Sequence, residues 1–256
     1  MVRSAKQQAN LTLLIDADIP AYQHASAGQR VYNWSDDPED VSVAVDDVAL
    51  VCEQFDDEVD RLRRKFHASA VVCCLTDGDN FRKRILPTYK GNRRVKPVLL
   101  PEVRAHIHAT HKTFQKPSLE GDDVMGILAT HPSLIPGEKL IVSIDKDMKT
   151  IPGTVYNGRK DELQIVTREQ ADYYHLFQTL VGDPTDNYKG CPGVGKVNAA
   201  RILAQEGDPW DHIVAAFAGR GLTEADALVQ ARVARILRHT DYNFKTKEPI
   251  LWNPAS

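Results

Sequence analysis

The sequence has little that would staple, anchor or export it. Its four cysteines, Cys52, Cys73, Cys74 and Cys191, form no pair at zinc-finger spacing and suggest no disulfide framework, so a reducing compartment is expected. No apolar run approaches the roughly 18 residues of a membrane span. The first residues, MVRSAKQQAN, contain no signal-peptide apolar segment, and the expectation is a cytoplasmic protein without a membrane partner. Internal repeats and low-complexity stretches are missing. Net charge is nearly missing too: 32 basic against 35 acidic side chains leave −3, which taken alone argues against a strongly basic nucleic-acid binder.

What is present is an ordinary globular balance, 256 residues of which 42% are hydrophobic, enough to bury a sizeable core. The near-neutral total hides a steep asymmetry. Residues 1–60 carry 13 acidic and 3 basic side chains, whereas residues 80–116 carry ten Lys/Arg against one Glu. Such a dense basic segment, holding His106, His108 and His111, reads as a phosphate-binding element. Arg82, Lys83, Arg84, Arg94 and Lys96 are its candidate phosphate contacts.

Apolar runs alternate with helical patterns. LTLLID (11–16), SAVVCCLTD (69–77) and KLIVSID (139–145) read as buried strands. Residues 40–66 and 101–114 read as helices, Ser118 as the cap of a helix through residue 131, and 154–158 with 163–166 as a hairpin. Thr167 and Gln170 have the spacing of a capping box, and further helices are expected near 195–205, 209–219 and 223–239. This is an α/β pattern with a mostly parallel central sheet flanked by helices. The expected division is 1–166 as a core including the basic segment, about 80–117, and 167–256 as a helical region.

All three strands end in aspartate: Asp16, Asp77 and Asp145. In an open parallel sheet the carboxyl ends of the strands form the ligand crevice, so these charges converge. Three clusters join them: Glu120, Asp122 and Asp123; Asp145 with Asp147; and Asp183 with Asp186. Singly, each suits a turn or a helix cap. Together they repel one another unless cations are bound. Oxygen-only donors favour Mg²⁺ or Mn²⁺ over Zn²⁺, and two such ions about 4 Å apart can clamp the attacking and leaving oxygens of a phosphodiester.

Residues 190–197, GCPGVGKV, approach a nucleotide-binding phosphate loop, but Val197 stands where the Mg²⁺-ligating hydroxyl is needed. The better reading is a glycine-rich hairpin between helices, in which Gly190, Gly193 and Gly195 expose backbone N–H groups to a DNA backbone and Lys189, Lys196 and Arg201 add charge.

Five segments in order, LLIDAD (13–18), TDG with RKRILPTYKGNR (76–93), LEGDDVMGILA (119–129), SIDKDM (143–148) and LVGDPTDNYKGCPGVGKVNAARIL (180–203), resemble the flap endonuclease/5′-nuclease family in its phage-type, free-standing form. The resemblance implies a PIN-like 5′-nuclease core, a basic arch and a C-terminal helix–hairpin–helix region at about 180–205. It implies a divalent-metal-dependent 5′–3′ exonuclease with flap endonuclease activity on DNA, monomeric, in the bacterial host cytoplasm if phage-encoded. By the same resemblance Asp16, Asp77, Glu120, Asp122 and Asp123 surround one metal, and Asp145, Asp147, Asp183 and Asp186 a second. Lys90 and Arg93 contact the scissile phosphate, Tyr89 stacks on a terminal base, and a K⁺ ion sits at the hairpin. Cleavage of RNA in RNA–DNA hybrids, and a non-catalytic DNA-binding module, stand as alternatives.

Overall fold

The computed structural model describes residues 10–34, 41–92 and 95–254. The chain opens with strand β1 (Leu11–Asp16) and helix α1 (Asp18–Ala27), followed by a two-stranded antiparallel ribbon of β2 (Gln29–Asn33) and β3 (Val41–Val45). Helix α2 (Val48–Phe66) leads to β4 (Ala70–Cys74), the single turn α3 (Arg82–Ile85), α4 (Leu100–Thr110) and the short β5 (Thr113–Phe114). Then come α5 (Gly121–Thr130), β6 (Glu138–Val142), a 3-10 turn (Lys146–Thr150), β7 (Gly153–Asn157) and β8 (Glu162–Val166). Helices α6 (Arg168–Val181), α7 (Lys196–Leu203), α8 (Pro209–Ala218) and α9 (Glu224–Ala234) finish the chain's main elements.

The central sheet runs β5-β4-β1-β6-β7-β8. Every neighbouring pair is parallel except the closing hairpin of β7 and β8. Side chains alternate across a strand, and the core follows that alternation. Leu13, Ile15, Cys73, Leu140 and Val142 face the helices α1, α2 and α4, while Leu14, Val72, Cys74 and Ile141 face α5 and the segment around Ile236 and Leu237. Leu180, Ile213, Phe217 and Ala231 centre a third cluster among α6 to α9. No helix among the described residues is long and apolar enough to cross a membrane.

Several local expectations change. The strands expected to reach Asp77 and Asp145 end at Cys74 and Val142, the helix expected over 101–114 ends at Thr110 before the strand Thr113–Phe114, and the helix expected over 223–239 ends at Ala234. The stretch 40–66 is not one helix. The β-branched alternation VSVAV makes Val41–Val45 a strand paired with β2, and α2 starts only after Asp47, whose carboxylate accepts the Ala49 N–H at 2.9 Å. Ser118 does not cap α5. It sits in the left-handed region at φ 61°, donating its N–H to Asp77 and its hydroxyl to Asp79, and Glu120 takes the cap position instead.

Candidate active site

Because β1, β4 and β6 are parallel, the loops beyond Asp16, Cys74 and Val142 open on the same edge of the sheet. Asp16, at the end of β1, is 5% exposed and accepts a 2.7 Å hydrogen bond from the Ser143 hydroxyl. That hydroxyl oxygen in turn accepts the Asp145 N–H at 3.0 Å. Asp145 opens the 3-10 turn by accepting the Asp147 N–H at 2.8 Å, and Asp147 accepts from the Gln178 amide of α6 at 2.6 Å. A chain of short polar contacts thus carries the carboxylates from one strand end to the next.

Glu120, Asp122, Asp147 and Asp186 line one small cavity of about 10 Å³ with Tyr89 and Tyr188, room for about one water-sized or smaller guest. Burial and the charges of Asp18 and Asp145 push Asp16 up to about 7. Burial, with Asp145 beside it, pushes Asp147 up to about 7 as well. Asp122 rises well above the usual carboxylate range through burial and repulsion by Asp16 and Asp145. Glu120 goes the other way. Burial would raise it, but the Lys90 ammonium and Arg82 guanidinium overcome that and hold it at about 2. Asp183 is held low despite burial by the Lys146 ammonium at 2.6 Å and the Thr185 N–H at 2.7 Å.

Lys90 occupies a left-handed backbone position, φ 54°. Its N–H donates to the Asp186 carbonyl at 2.9 Å, and its ammonium reaches Glu120 and, at 3.4 Å, Asp186. The side chain that resembles a phosphate contact therefore stands inside the carboxylate cluster.

Several expected roles shift with the geometry. Asp77 turns into its own loop, accepting from the Gln115 amide and the Ser118 N–H, both at 2.9 Å, and the cluster carboxylates are not among its strongest electrostatic influences. Asp123 is fully buried. Both its oxygens accept from the Arg82 guanidinium at 2.7 Å, and they also receive the Glu120 and Leu237 N–H groups, which occupies its lone pairs. Arg82 is no surface DNA contact. It is 2% exposed and spends its remaining N–H groups on Glu120 and the carbonyls of Val233 and Arg235. Tyr89 is buried too, with its hydroxyl 2.9 Å from both Glu120 and Asp186, so its ring is not presented to a base.

Lys83, Arg84 and Lys96 are exposed, Arg84 facing Asp79 at 3.3 Å. Arg93 and Arg94 lie outside the described residues. Between α6 and α7 the loop crosses over itself. Gly182 and Gly190 meet so closely that a Cβ on either would lie 2.4 Å from backbone, and Cys191 N–H donates to the Leu180 carbonyl at 2.8 Å. Lys189, Gly193, Gly195 and Lys196 are exposed beyond that crossing, and no side chain caps the start of α7.

Residue-by-residue reading missed Asp18, whose carboxylate accepts the Thr76 N–H at 2.7 Å and the Arg104 guanidinium. Its place two residues after Asp16 in LLIDAD was the available signal. Ser143, Lys146 and Gln178 were missed as well. Only Lys146, lying between two aspartates in sequence, could have been suspected.

A mostly parallel sheet whose carboxyl edge gathers carboxylates against Lys90 and Lys146 has the make-up of a hydrolytic nuclease core. Residues 13–177 match the family model described as 5′-3′ exonuclease, N-terminal resolvase-like domain. The exonuclease of Escherichia phage T7 is 34% identical over 94% of this chain and 93% of its own length. The exodeoxyribonuclease of Enterobacteria phage T3 is 31% identical over 95% and 93%. Among solved structures, the T5 D15 protein co-crystallised with metal ions superposes with a TM-score of 0.65 at 16% identity, covering 88% of each chain, and so shares the fold. The chain belongs to the 5′-3′ exonuclease family.

Proposed function

We propose that this chain removes nucleotides from DNA 5′ ends and cuts 5′ flaps, using two divalent cations, Mg²⁺ or Mn²⁺, held by Asp16, Glu120, Asp122, Asp145, Asp147, Asp183 and Asp186. The observation that carries the reading is the gathering of Asp16, Asp122 and Asp147, all pushed far above the ordinary carboxylate range by burial and by neighbouring carboxylates, the last two lining one small cavity. Oxygen donors at that density fit hard cations. Bound there, the cations would supply Lewis-acid activation of water and charge neutralisation at the phosphate.

The chain's own residues do the rest. Ser143 orients Asp16, and Gln178 orients Asp147. Lys90, which rests on Glu120 and Asp186, would turn toward a non-bridging phosphate oxygen as an electrostatic stabiliser of the developing charge; Arg93 is its proposed companion. Arg82 holds Asp123 and Glu120 in register rather than touching DNA. Exposed Lys83, Lys96, Lys189 and Lys196 would grip the backbone, with the N-terminus of α7 and the Gly190–Gly195 loop receiving a phosphate and, in the same proposal, a K⁺ ion. The protein would act as a monomer in the cytoplasm of a bacterial host.

The test uses 5′-labelled flap, nicked and blunt duplexes and an RNA–DNA hybrid, with Mg²⁺ or with EDTA. Label should leave the DNA substrates only with Mg²⁺. Asp145→Asn should abolish that release while leaving DNA binding largely intact. Full activity in Asp145→Asn would overturn the two-cation reading, and cleavage of the hybrid alone would redirect it to RNA.

A further inference from the structure

A second group of metal-ligating side chains lies away from the carboxylate cluster, where α2 and α4 pack on the same face of the sheet. Asp56 projects from α2. His106 projects from α4, and His111 follows immediately after that helix ends. The Asp56 carboxylate bridges the two imidazoles. One oxygen lies 2.8 Å from His106 Nε2 and the other 2.6 Å from His111 Nε2. One donor atom from each residue can be chosen so that all three lie within 4.8 Å of one another.

These side chains are built into place. Phe55 and Ile107, chain neighbours of Asp56 and His106, are fully buried at 0% exposure. The His111 ring packs edge-on against Phe55 at 5.6 Å. The donors themselves stay partly exposed, with His106 and His111 at 25% and 19% and Asp56 at 38%. A groove lined by Cys52, Glu53, Asp56, Glu102 and His106 opens beside them, so an ion could enter and water could complete its coordination.

We infer that Asp56, His106 and His111 form a structural site for a transition-metal ion of the Zn²⁺ class, separate from the proposed catalytic cations. Two imidazoles and a carboxylate are donors that such an ion prefers, whereas the catalytic cluster offers oxygen alone. Around a tetrahedral ion with bonds of about 2.0–2.1 Å, donor atoms sit about 3.3 Å apart. One donor atom from each residue, already within 4.8 Å of the other two, would draw in to that spacing, each neutral imidazole carrying its proton on the ring nitrogen that does not bind the ion. The ion would tie α4 to α2. Because α4 also carries Arg104, which donates to Asp18 and, at 2.6 Å, to the Thr76 carbonyl, the tie would steady the wall of the active site behind Asp16.

The experiment titrates Zn²⁺ into the whole protein and follows by calorimetry the binding that the histidine variants remove. The wild type and Asp145→Asn should share a Zn²⁺-binding site that is weakened in His106→Ala and His111→Ala. The affinity should fall at least about tenfold in His106→Ala and His111→Ala, as even loss of an outer-sphere partner costs that much. A readout that needs no variant is acylation of the wild-type protein by diethylpyrocarbonate, which should spare His106 and His111 once Zn²⁺ is added. Absence of Zn²⁺ binding, unchanged affinity in both histidine variants, or continued acylation at saturating Zn²⁺ would each overturn the site and leave the triad a hydrogen-bonded clamp.

Discussion

Replacing Asp16 with asparagine should make the metal-free protein more stable at pH 8 while removing its cleavage activity. The magnitude follows from its position. Burial, Asp18 and Asp145 raise the carboxyl from 3.8 to about 7, and each tenfold weakening of an acid corresponds to about 1.4 kcal/mol between its protonation states. A raised acid keeps its proton in the folded state while the unfolded chain has released it. Its stability contribution is therefore full below about pH 4, lost as pH rises, and fully gone above about pH 7. The raised acid thus costs the folded state about 4 kcal/mol at pH 8, where it is ionised, and about 1 kcal/mol at pH 4.5, where only the unfolded chain releases the proton. Asparagine keeps an oxygen for the Ser143 hydroxyl and carries no charge. Any effect of the amide itself is the same at both pH values. The Asp16→Asn stability gain should thus be about 3 kcal/mol larger at pH 8 than at pH 4.5, somewhat less where relaxation of Asp122 shares the strain. Urea unfolding in EDTA, followed by tryptophan fluorescence, reads this difference, provided the denaturant slope is unchanged. Adding Mg²⁺ should reverse the order at pH 8, because the wild type gains binding energy that the variant cannot. An equal effect of the substitution at both pH values would refute the claim that uncompensated negative charge is stored at this strand end.

Lys90→Ala should lower kcat by about two to three orders of magnitude with a smaller change in KM, measured on a 5′-labelled flap; a change confined to KM would make Lys90 a binding contact only. Arg82→Met should destabilise the fold by about 3–5 kcal/mol, since it leaves buried Asp123 without its partner, and thermal unfolding measures it; an unchanged melting temperature would mean that Asp123 is held elsewhere. Divalent-metal affinity should rise as pH increases through about 7, because Asp16 and Asp147 must lose their protons to bind, and calorimetry in buffers of different ionisation enthalpy should show proton release. A pH-independent affinity would contradict the raised carboxyls.

The layout of the sheet was legible because fully buried parallel strands read as short apolar runs, and because a carboxylate ends β1 and follows β4 and β6 within three residues, at the edge where ligands gather. LTLLID and KLIVSID needed no tertiary knowledge. VSVAV was absorbed into the helix that follows it because an acidic amphipathic pattern continues across Asp47; only pairing with Gln29–Asn33 decides between strand and helix there. The gathering of Asp16, Asp145 and Asp147 followed from topology. What could not be read was which charges the protein neutralises for itself. Arg82 stands in the most basic stretch of the chain and looks like a surface contact, yet two of its acceptors lie 151 and 153 residues later, at Val233 and Arg235. Asp123 follows Asp122 directly, but the turn of α5 sends it to Arg82 while its neighbour feels Asp16 and Asp145. Tyr89 looked like a base platform until its hydroxyl found Glu120 and Asp186. Such long-range pairings of polar groups leave no local periodicity.

The Arg82 knot also bears on how the protein comes into being at the ribosome. Its guanidinium must meet the Val233 and Arg235 carbonyls, and Asp123 must receive the Leu237 N–H, before the neighbourhood of Glu120 is complete. A nascent chain that has emerged only as far as α8 carries every carboxylate of the cluster but not the segment that locks Arg82 against it. The surroundings of Glu120 are therefore completed only after the segment through Leu237 has been made.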